Sequence, residues 1–156
     1  HVFDRQLLDA GGRQQHIAIV GDIMHSRVAR SNVEGLTKLG AKVTLVGPSE
    51  LLPEDLGVDT STDFDAVLSD VSGAMMLRVQ FEREAIVSED YREKYGLTEQ
   101  RFSNFQGAIM HPGPVNRGIE IDDKVANIDS SPHNLILSQV TSGVATRMAI
   151  LDHLVG

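Results

Sequence analysis

The sequence predicts an α/β fold: a doubly wound parallel sheet flanked by helices, built as a single domain. Short apolar runs recur along the chain, namely HIAIVG at 16–21, KVTLVG at 42–47, AMMLRV at 74–79 and GAIM at 107–110. The segments between them carry helix signals: caps and stops such as Ser26 and Gly40, and at 64–71 apolar residues at the helical period. Strands that alternate with helices pair in parallel, because a helical crossover returns the chain to the same edge of the sheet.

Composition narrows the function classes. At 156 residues, with 41% hydrophobic and only 4% aromatic residues, the chain suits one domain with a substantial core. A net charge of −8 argues against a nucleic-acid surface but leaves room for a local anion site. There is no cysteine, which excludes disulfides and thiolate chemistry and is compatible with a cytoplasmic location. No apolar run approaches the roughly 20 residues of a membrane span. The opening HVFDRQLLDAGGRQQ carries charges where a signal peptide would be apolar. Neither an internal repeat nor a low-complexity segment is present.

Taken in order, residues 1–15 are weakly patterned, with Phe3, Leu7 and Leu8 on one side of a short helix ended by Gly11-Gly12. The strand at 16–21 follows. Ser26 caps a helix to about Leu39, with Gly40 as its stop signal. After the strand at 42–47, Pro48 and Ser49 open a helical turn and Val58 begins another extended piece. DAVLSD could pass for a strand, but Phe64, Val67, Leu68 and Val71 fall at i, i+3, i+4 and i+7, so a helix over 62–71 is expected, ended by Gly73. The strand at 74–79 comes next. Ser88 caps a polar helix to Tyr95, stopped by Gly96, and Thr98 caps another before the strand at 107–110. Ser131, with Pro132 at the first helical position, starts the last helix. Ile136, Val140, Val144, Met148, Leu151 and Val155 form its apolar stripe.

Ligands of such sheets bind beyond the carboxyl ends of the strands, which gathers Gly21 to Arg27, Arg78 to Gln80 and His111 to Pro114 into one candidate site. Only the first glycine of a G-x-G-x-x-G fingerprint is present at Gly21, which disfavours a dinucleotide. Arg27 instead stands at a helix mouth whose free N–H groups favour an anion; the plain alternative is a solvated surface arginine. Arg30, one turn on, supports Arg27 or pairs with Glu34. Leu77 and Val79 are expected on one face of their strand, with Arg78 and Gln80 on the other. An arginine beside an amide can hold a carboxylate through its fork and a second polar group. Glu82-Arg83-Glu84 reads as a self-compensating solvated face. Pro112 and Pro114 donate no backbone hydrogen bond and Gly113 has no side chain, so this turn suits a rigid shelf of carbonyls for an amide-like group. A purely structural turn is the alternative. Two arginines from two strand ends suit a ligand with two carboxylates, or with a carboxylate and a phosphate.

GDIMHSRVARSN, MMLRVQFERE, KYGLT, MHPGPVNRGIEI and QVTSGVATRMAIL, in that order, resemble the catalytic chain of aspartate carbamoyltransferase, in its C-terminal, aspartate-binding half. The similarity runs from about His16 to the end. It implies three parts: a linker remnant over 1–15, an aspartate-binding α/β domain over 16–132, and a C-terminal helix over 133–156 that packs on the carbamoyl-phosphate domain. The implied reaction joins carbamoyl phosphate to L-aspartate in pyrimidine biosynthesis. By the same resemblance, Arg27 and Arg78 hold the carboxylates of aspartate, Gln80 orients it, and the backbone carbonyls of Gly113 and Pro114 contact carbamoyl phosphate. A cis peptide is expected at Gly113–Pro114. No side chain is assigned a proton-transfer or nucleophilic role, His111 included, and no metal or cofactor is implied. The implied partners are a carbamoyl-phosphate-binding domain or chain and, by the family's habit, further copies in a trimer-based homo-oligomer; nucleic acid and membrane are not among them.

Departures matter equally. The family's Ser-Thr-Arg-Thr-Arg loop and lysine-bearing loop are absent from these 156 residues, and HVFDR stands where His-Pro-Thr-Gln is expected before Gln6-Leu7-Leu8-Asp9-Ala10. Ornithine carbamoyltransferase is the close rival, but HPGP and LRVQ stand where its His-Cys-Leu-Pro and Ser-Met-Gly motifs belong. A non-catalytic partner subunit of the same family is a further alternative. A receiver domain with Asp70 as phosphoacceptor lacks the acidic pair and the late lysine, and would need 64–70 to be a strand. With half an active site, the purified chain alone is expected to form no N-carbamoyl-L-aspartate, and appreciable turnover in a colorimetric assay would refute the half-site reading.

Overall fold

The computed structural model describes residues 14–79, 90–127 and 131–155. Five parallel strands form one sheet: β1 (His16–Val20), β2 (Lys42–Val46), β3 (Asp59–Ser61), β4 (Gly73–Met76) and β5 (Ala108–Met110), in the order β3-β2-β1-β4-β5. The helices are α1 (Arg27–Lys38), α2 (Phe64–Leu68), α3 (Tyr91–Tyr95), α4 (Glu99–Asn104), α5 (Asp123–Ala126) and α6 (Ile136–Val155), with a 3-10 turn at Ser49–Leu51.

Alternation along β1 explains the double winding. Ile17 and Ile19 join Val43, Leu45, Met75 and Met110 in the cluster that α1 covers with Ala29, Val33 and Leu36. Ala18 and Val20 join Val46, Ala74, Met76 and Ile109 in the opposite cluster, under Phe64 and Leu68 of α2, Tyr91 and Tyr95 of α3 and Val125 of α5. Residues that alternate across a sheet buried on both faces must all be apolar, so strands like β1 read as continuous hydrophobic runs.

Local signals act largely as expected. Ser26 caps α1 by accepting from the Ala29 N–H, Asp63 caps α2 through Ala66, and Thr98 caps α4 through Arg101. Gly40, at φ +81°, ends α1 in the left-handed region.

The structure corrects four expectations. The helix of 62–71 is shorter, ending at Leu68, and Gly73 opens β4 instead of stopping a helix. Gly73 pairs with Ile17 and Ala108 inside the sheet, where an added Cβ would meet Ile17 Cδ1 at 3.1 Å. β4 also ends early, at Met76, because its last bond to β1 is Leu77 N–H to Val20 O at 2.8 Å. Leu77 and Val79 therefore do not share a face: both are buried, but in opposite clusters, since the chain turns away from the sheet between them. Finally, the last helix begins at Ile136, not at Pro132. Residues 133–135 first run along β5, with Ile109 N–H donating to His133 O at 2.7 Å and Leu135 N–H to Ile109 O at 2.8 Å. That pairing covers the sheet edge, and Asn134 Oδ1 then accepts from the Ile136 N–H. The expectations for residues 1–13, for Gln80, for Glu82-Arg83-Glu84 and for Ser88 fall outside the described residues.

The apolar stripe of α6 lies open. No residue of this helix is buried, and Val140, Val144, Met148, Leu151 and Val155 are all exposed. Among the described residues, no helix is long and apolar enough to cross a membrane.

Two measurements probe this core. An added Cβ at Gly47 would stand 2.5 Å from Gly21 O, whereas one on Gly35 meets nothing within 4 Å. Gly47→Ala should therefore cost about 1–3 kcal/mol in urea denaturation, while Gly35→Ala, in the middle of α1, should gain about 0.5–1 kcal/mol. Equal effects would refute the close approach of β1 and β2. Burial, then the charges of Glu120 and Asp22, push the Tyr91 phenol well up; burial also raises Tyr95, against the opposing pull of Lys94. Both raised phenols add stability below the ordinary tyrosine value of about 10, and that stability is lost as pH rises through it, because only the unfolded state ionises there. Tyrosinate absorbance should therefore stay low at about pH 10–11 until the chain unfolds; early, reversible ionisation of both tyrosines would contradict their burial.

Candidate functional site

The strand order locates the site. The chain winds outward from β1 through β2 to β3, then returns to the other side of β1 for β4 and β5. Winding thus reverses between β1 and β4, the place where open parallel sheets form their ligand crevice. The loops after β1 and β4 flank that point, and the loop after β5 is the next one along the same rim. The described residues of the three stretches singled out from sequence, Gly21 to Arg27, Arg78 and Val79, and His111 to Pro114, share one edge of the molecule.

Arg27 is the first residue of α1, exposed, with no acidic residue in the first turn. No acidic side chain in that turn offsets this helix terminus, whose free N–H groups favour an anion. Gly21, behind it, has φ +129° and packs so closely that an added Cβ would lie 3.2 Å from Leu77 Cβ and 3.1 Å from the Tyr91 hydroxyl. This glycine lets β1 and β4 end side by side; no phosphate loop is needed to explain it. Arg30 pairs with Asp55 at 3.3 Å, while Glu34 takes Lys38 at 2.5 Å, so of the two roles open to Arg30 the pair with Glu34 is not formed. The hydrogen bond from Lys38, with its charge, holds the Glu34 carboxyl below the usual range.

Buried Asp22 accepts from the His25 N–H at 3.2 Å and faces His25 Nδ1 at 2.9 Å, which braces the loop between β1 and Arg27. Arg78 is half-buried, two residues beyond β4. Gly113, at φ +70°, is exposed with open space where a Cβ would be, and the Gly113–Pro114 peptide is cis, as the family resemblance implies. Gln80, the expected partner of Arg78, lies outside the described residues.

Sequence reasoning missed the polar cluster beneath this rim. His111 Nδ1 accepts from the Gly113 N–H at 2.8 Å, which leaves the ring hydrogen on Nε2, 3.3 Å from Glu120 Oε1. Glu120 Oε1 also accepts from the Asn116 N–H at 2.5 Å, and Asn116 Nδ2 donates to Val79 O at 2.8 Å. The His111 N–H is taken by Gln139 Oε1 of α6 at 2.9 Å. His111 and Glu120 are buried. The available signal was two polar residues, Asn116 and Glu120, in a segment whose neighbours Ile119 and Ile121 are apolar. Among the described residues, no three histidine, aspartate or glutamate side chains converge so as to hold a metal ion.

Asp70 excludes the receiver reading. It follows helix α2, not a strand, and meets His16 Nδ1 at 3.2 Å at the amino ends of the strands, opposite the rim just described.

Known proteins agree with this architecture. A family model described as the Asp/Orn binding domain of aspartate/ornithine carbamoyltransferase matches residues 59–154, a span that includes Arg78, Gly113 and Pro114 but not Arg27. The chain is 49% identical over 144 residues to the aspartate carbamoyltransferase catalytic subunit of Opitutus terrae, covering 86% of this chain and 45% of that one. It is 47% identical over 150 residues to the same subunit of Carboxydothermus hydrogenoformans, covering 90% and 47%. The solved catalytic subunit of M. jannaschii aspartate transcarbamoylase superposes with a TM-score of 0.79 at 28% identity, covering 98% of this chain and 53% of that one. The chain thus spans about half the length of the curated relatives it matches. A sheet that reverses between β1 and β4, with a proline-stiffened turn on the neighbouring strand, therefore has a family: the chain belongs to the aspartate/ornithine carbamoyltransferases, as their Asp/Orn binding domain.

Proposed function

We propose that this chain is the aspartate-binding half of an aspartate carbamoyltransferase and works in the cytoplasm. The observation that carries the reading is the shared rim: the loops bearing Arg27 and Arg78 flank the point where the sheet reverses, and the Gly113–Pro114 turn follows on the adjacent strand. Arg27 and Arg78 each take one carboxylate of L-aspartate, with Gln80 as a neutral hydrogen-bonding group beside Arg78. The carbonyls of Gly113 and Pro114 face the carbamoyl group of carbamoyl phosphate.

In this reading the neutral amino nitrogen of aspartate attacks the carbamoyl carbon. A C–N bond forms, the C–O bond to phosphate breaks, and the proton lost by the nitrogen leaves on the departing phosphate, giving N-carbamoyl-L-aspartate and hydrogen phosphate. With both carboxylates fixed, the nitrogen is held at its target, so positioning and charge stabilisation supply much of the acceleration. The groups that bind the phosphate come from a carbamoyl-phosphate-binding domain or chain. The open stripe of α6 is the apolar surface offered to that half, and the whole assembles as a trimer-based homo-oligomer. Aspartate is favoured over ornithine because a second cationic side chain at the rim suits a dicarboxylate and repels an ammonium group.

Isothermal titration should show succinate or aspartate binding while ornithine does not. Arg78→Ala should weaken dicarboxylate binding roughly ten- to a hundredfold, the equivalent of about 1.5–3 kcal/mol for a charged hydrogen bond. Mixing the chain with a carbamoyl-phosphate-binding half should yield N-carbamoyl-L-aspartate. Ornithine binding in preference to succinate would overturn the assignment of acceptor.

A further inference from the structure

Burying Glu120 completely is difficult to explain by stability. A carboxylate in the interior is costly, and an apolar side chain of similar size would often serve the core as well or better. Glu120 Oε2 is buried without a partner among the described residues, so its bonds are not even complete. What the carboxylate does achieve is connection. Its Oε1 gathers His111 Nε2 and the Asn116 N–H; His111 in turn takes the Gly113 N–H, and Asn116 reaches across to Val79 O.

The two ends of that chain of bonds are the two sides of the rim. Gly113 belongs to the turn on β5, and Val79 is the residue next to Arg78 beyond β4. No regular strand pairing joins these segments, because β4 ends at Met76 and β5 at Met110. We infer that His111, Glu120 and Asn116 are positioning residues that hold the Gly113–Pro114 turn in register with the Arg78 strand end. This rests on the function proposed above, where the turn faces carbamoyl phosphate and Arg78 holds aspartate. The network then sets the distance between the carbamoyl carbon and the attacking nitrogen, without touching either substrate. Displacement of about 1 Å at such a distance costs on the order of a hundredfold in rate.

The expected signature is a split between kcat and KM. In the chain combined with its carbamoyl-phosphate-binding half, Asn116→Ala and Glu120→Ala should each lower kcat about tenfold or more, with both KM values little changed, after normalising to sites that bind a dicarboxylate. Glu120→Gln, whose amide oxygen can accept both bonds, should recover most of the turnover that Glu120→Ala loses. Unchanged kcat in folded Asn116→Ala, which alters a half-exposed residue and keeps the core carboxylate, would overturn the inference. A second arm needs no activity: amide hydrogen exchange at Gly113 and across 77–79 should accelerate about tenfold or more in Asn116→Ala, while β1 stays protected. Unchanged exchange there would equally overturn it. If the unaltered protein makes no carbamoyl aspartate, the functional reading fails, and the exchange arm alone decides whether the network couples the two loops.

Discussion

The burial of β1 on both faces is the constraint from which the rest follows. Ile17, Ala18, Ile19 and Val20 are each fully buried, and alternate residues feed two separate cores. A strand in that position needs parallel neighbours on both sides and helices above and below, since no edge or face may be left to water. The chain meets this need by winding outward once, coming back, and winding outward again on the other side. The reversal that makes both cores possible also parts the loops after β1 and β4. The candidate site is thus a by-product of how the central strand is covered.

The rim above the reversal is built from backbone as much as from side chains. Gly47 lets the end of β2 approach that of β1 to a distance that no Cβ would permit, and Gly21 lets the ends of β1 and β4 lie side by side. Ser26 and Asp22 brace the entry to α1, and the His111–Glu120–Asn116 cluster braces the turn on β5. Sites held by buried, mutually bonded groups keep their geometry better than sites on unsupported loops. The exposed residues at this rim, Arg27 and the Gly113–Pro114 pair, are therefore mounted on rigid supports.

Helix α6 stands apart from this logic. The segment that leads into it, 133–135, pairs with β5, and the His111 N–H donates to Gln139 in its first turn. From Val140 to Val155 it exposes a long row of aliphatic side chains, with Leu154 74% and Val155 85% accessible. An apolar face of this length is unusual on a surface that has nothing to bind. In the function proposed above, this face is the surface offered to a carbamoyl-phosphate-binding half; the curated relatives are about twice as long as this chain.

Legibility varied with the distance over which a decision is made. Apolar runs for β1 and β2, the caps Ser26 and Thr98, and the stop at Gly40 were readable because each depends on residues within a turn or two. So were the three stretches at the rim, since parallel topology forces them to one edge. Gly73 looked like a helix stop because nothing local says that β1 and β5 flank it. Ser131-Pro132 looked like a helix start because nothing local says that 133–135 must first cover the edge of β5. The partnership of Asn116 with Val79, 37 residues earlier, is of the same kind. The sequence by itself determined the elements, their parallel order and the basic residues available to an anionic ligand. The tertiary structure alone decided where β4 and the last helix begin and which buried polar groups hold the rim in place. Hydrogen bonds and packing between distant segments depend on residues far apart in the chain, so no local pattern records them.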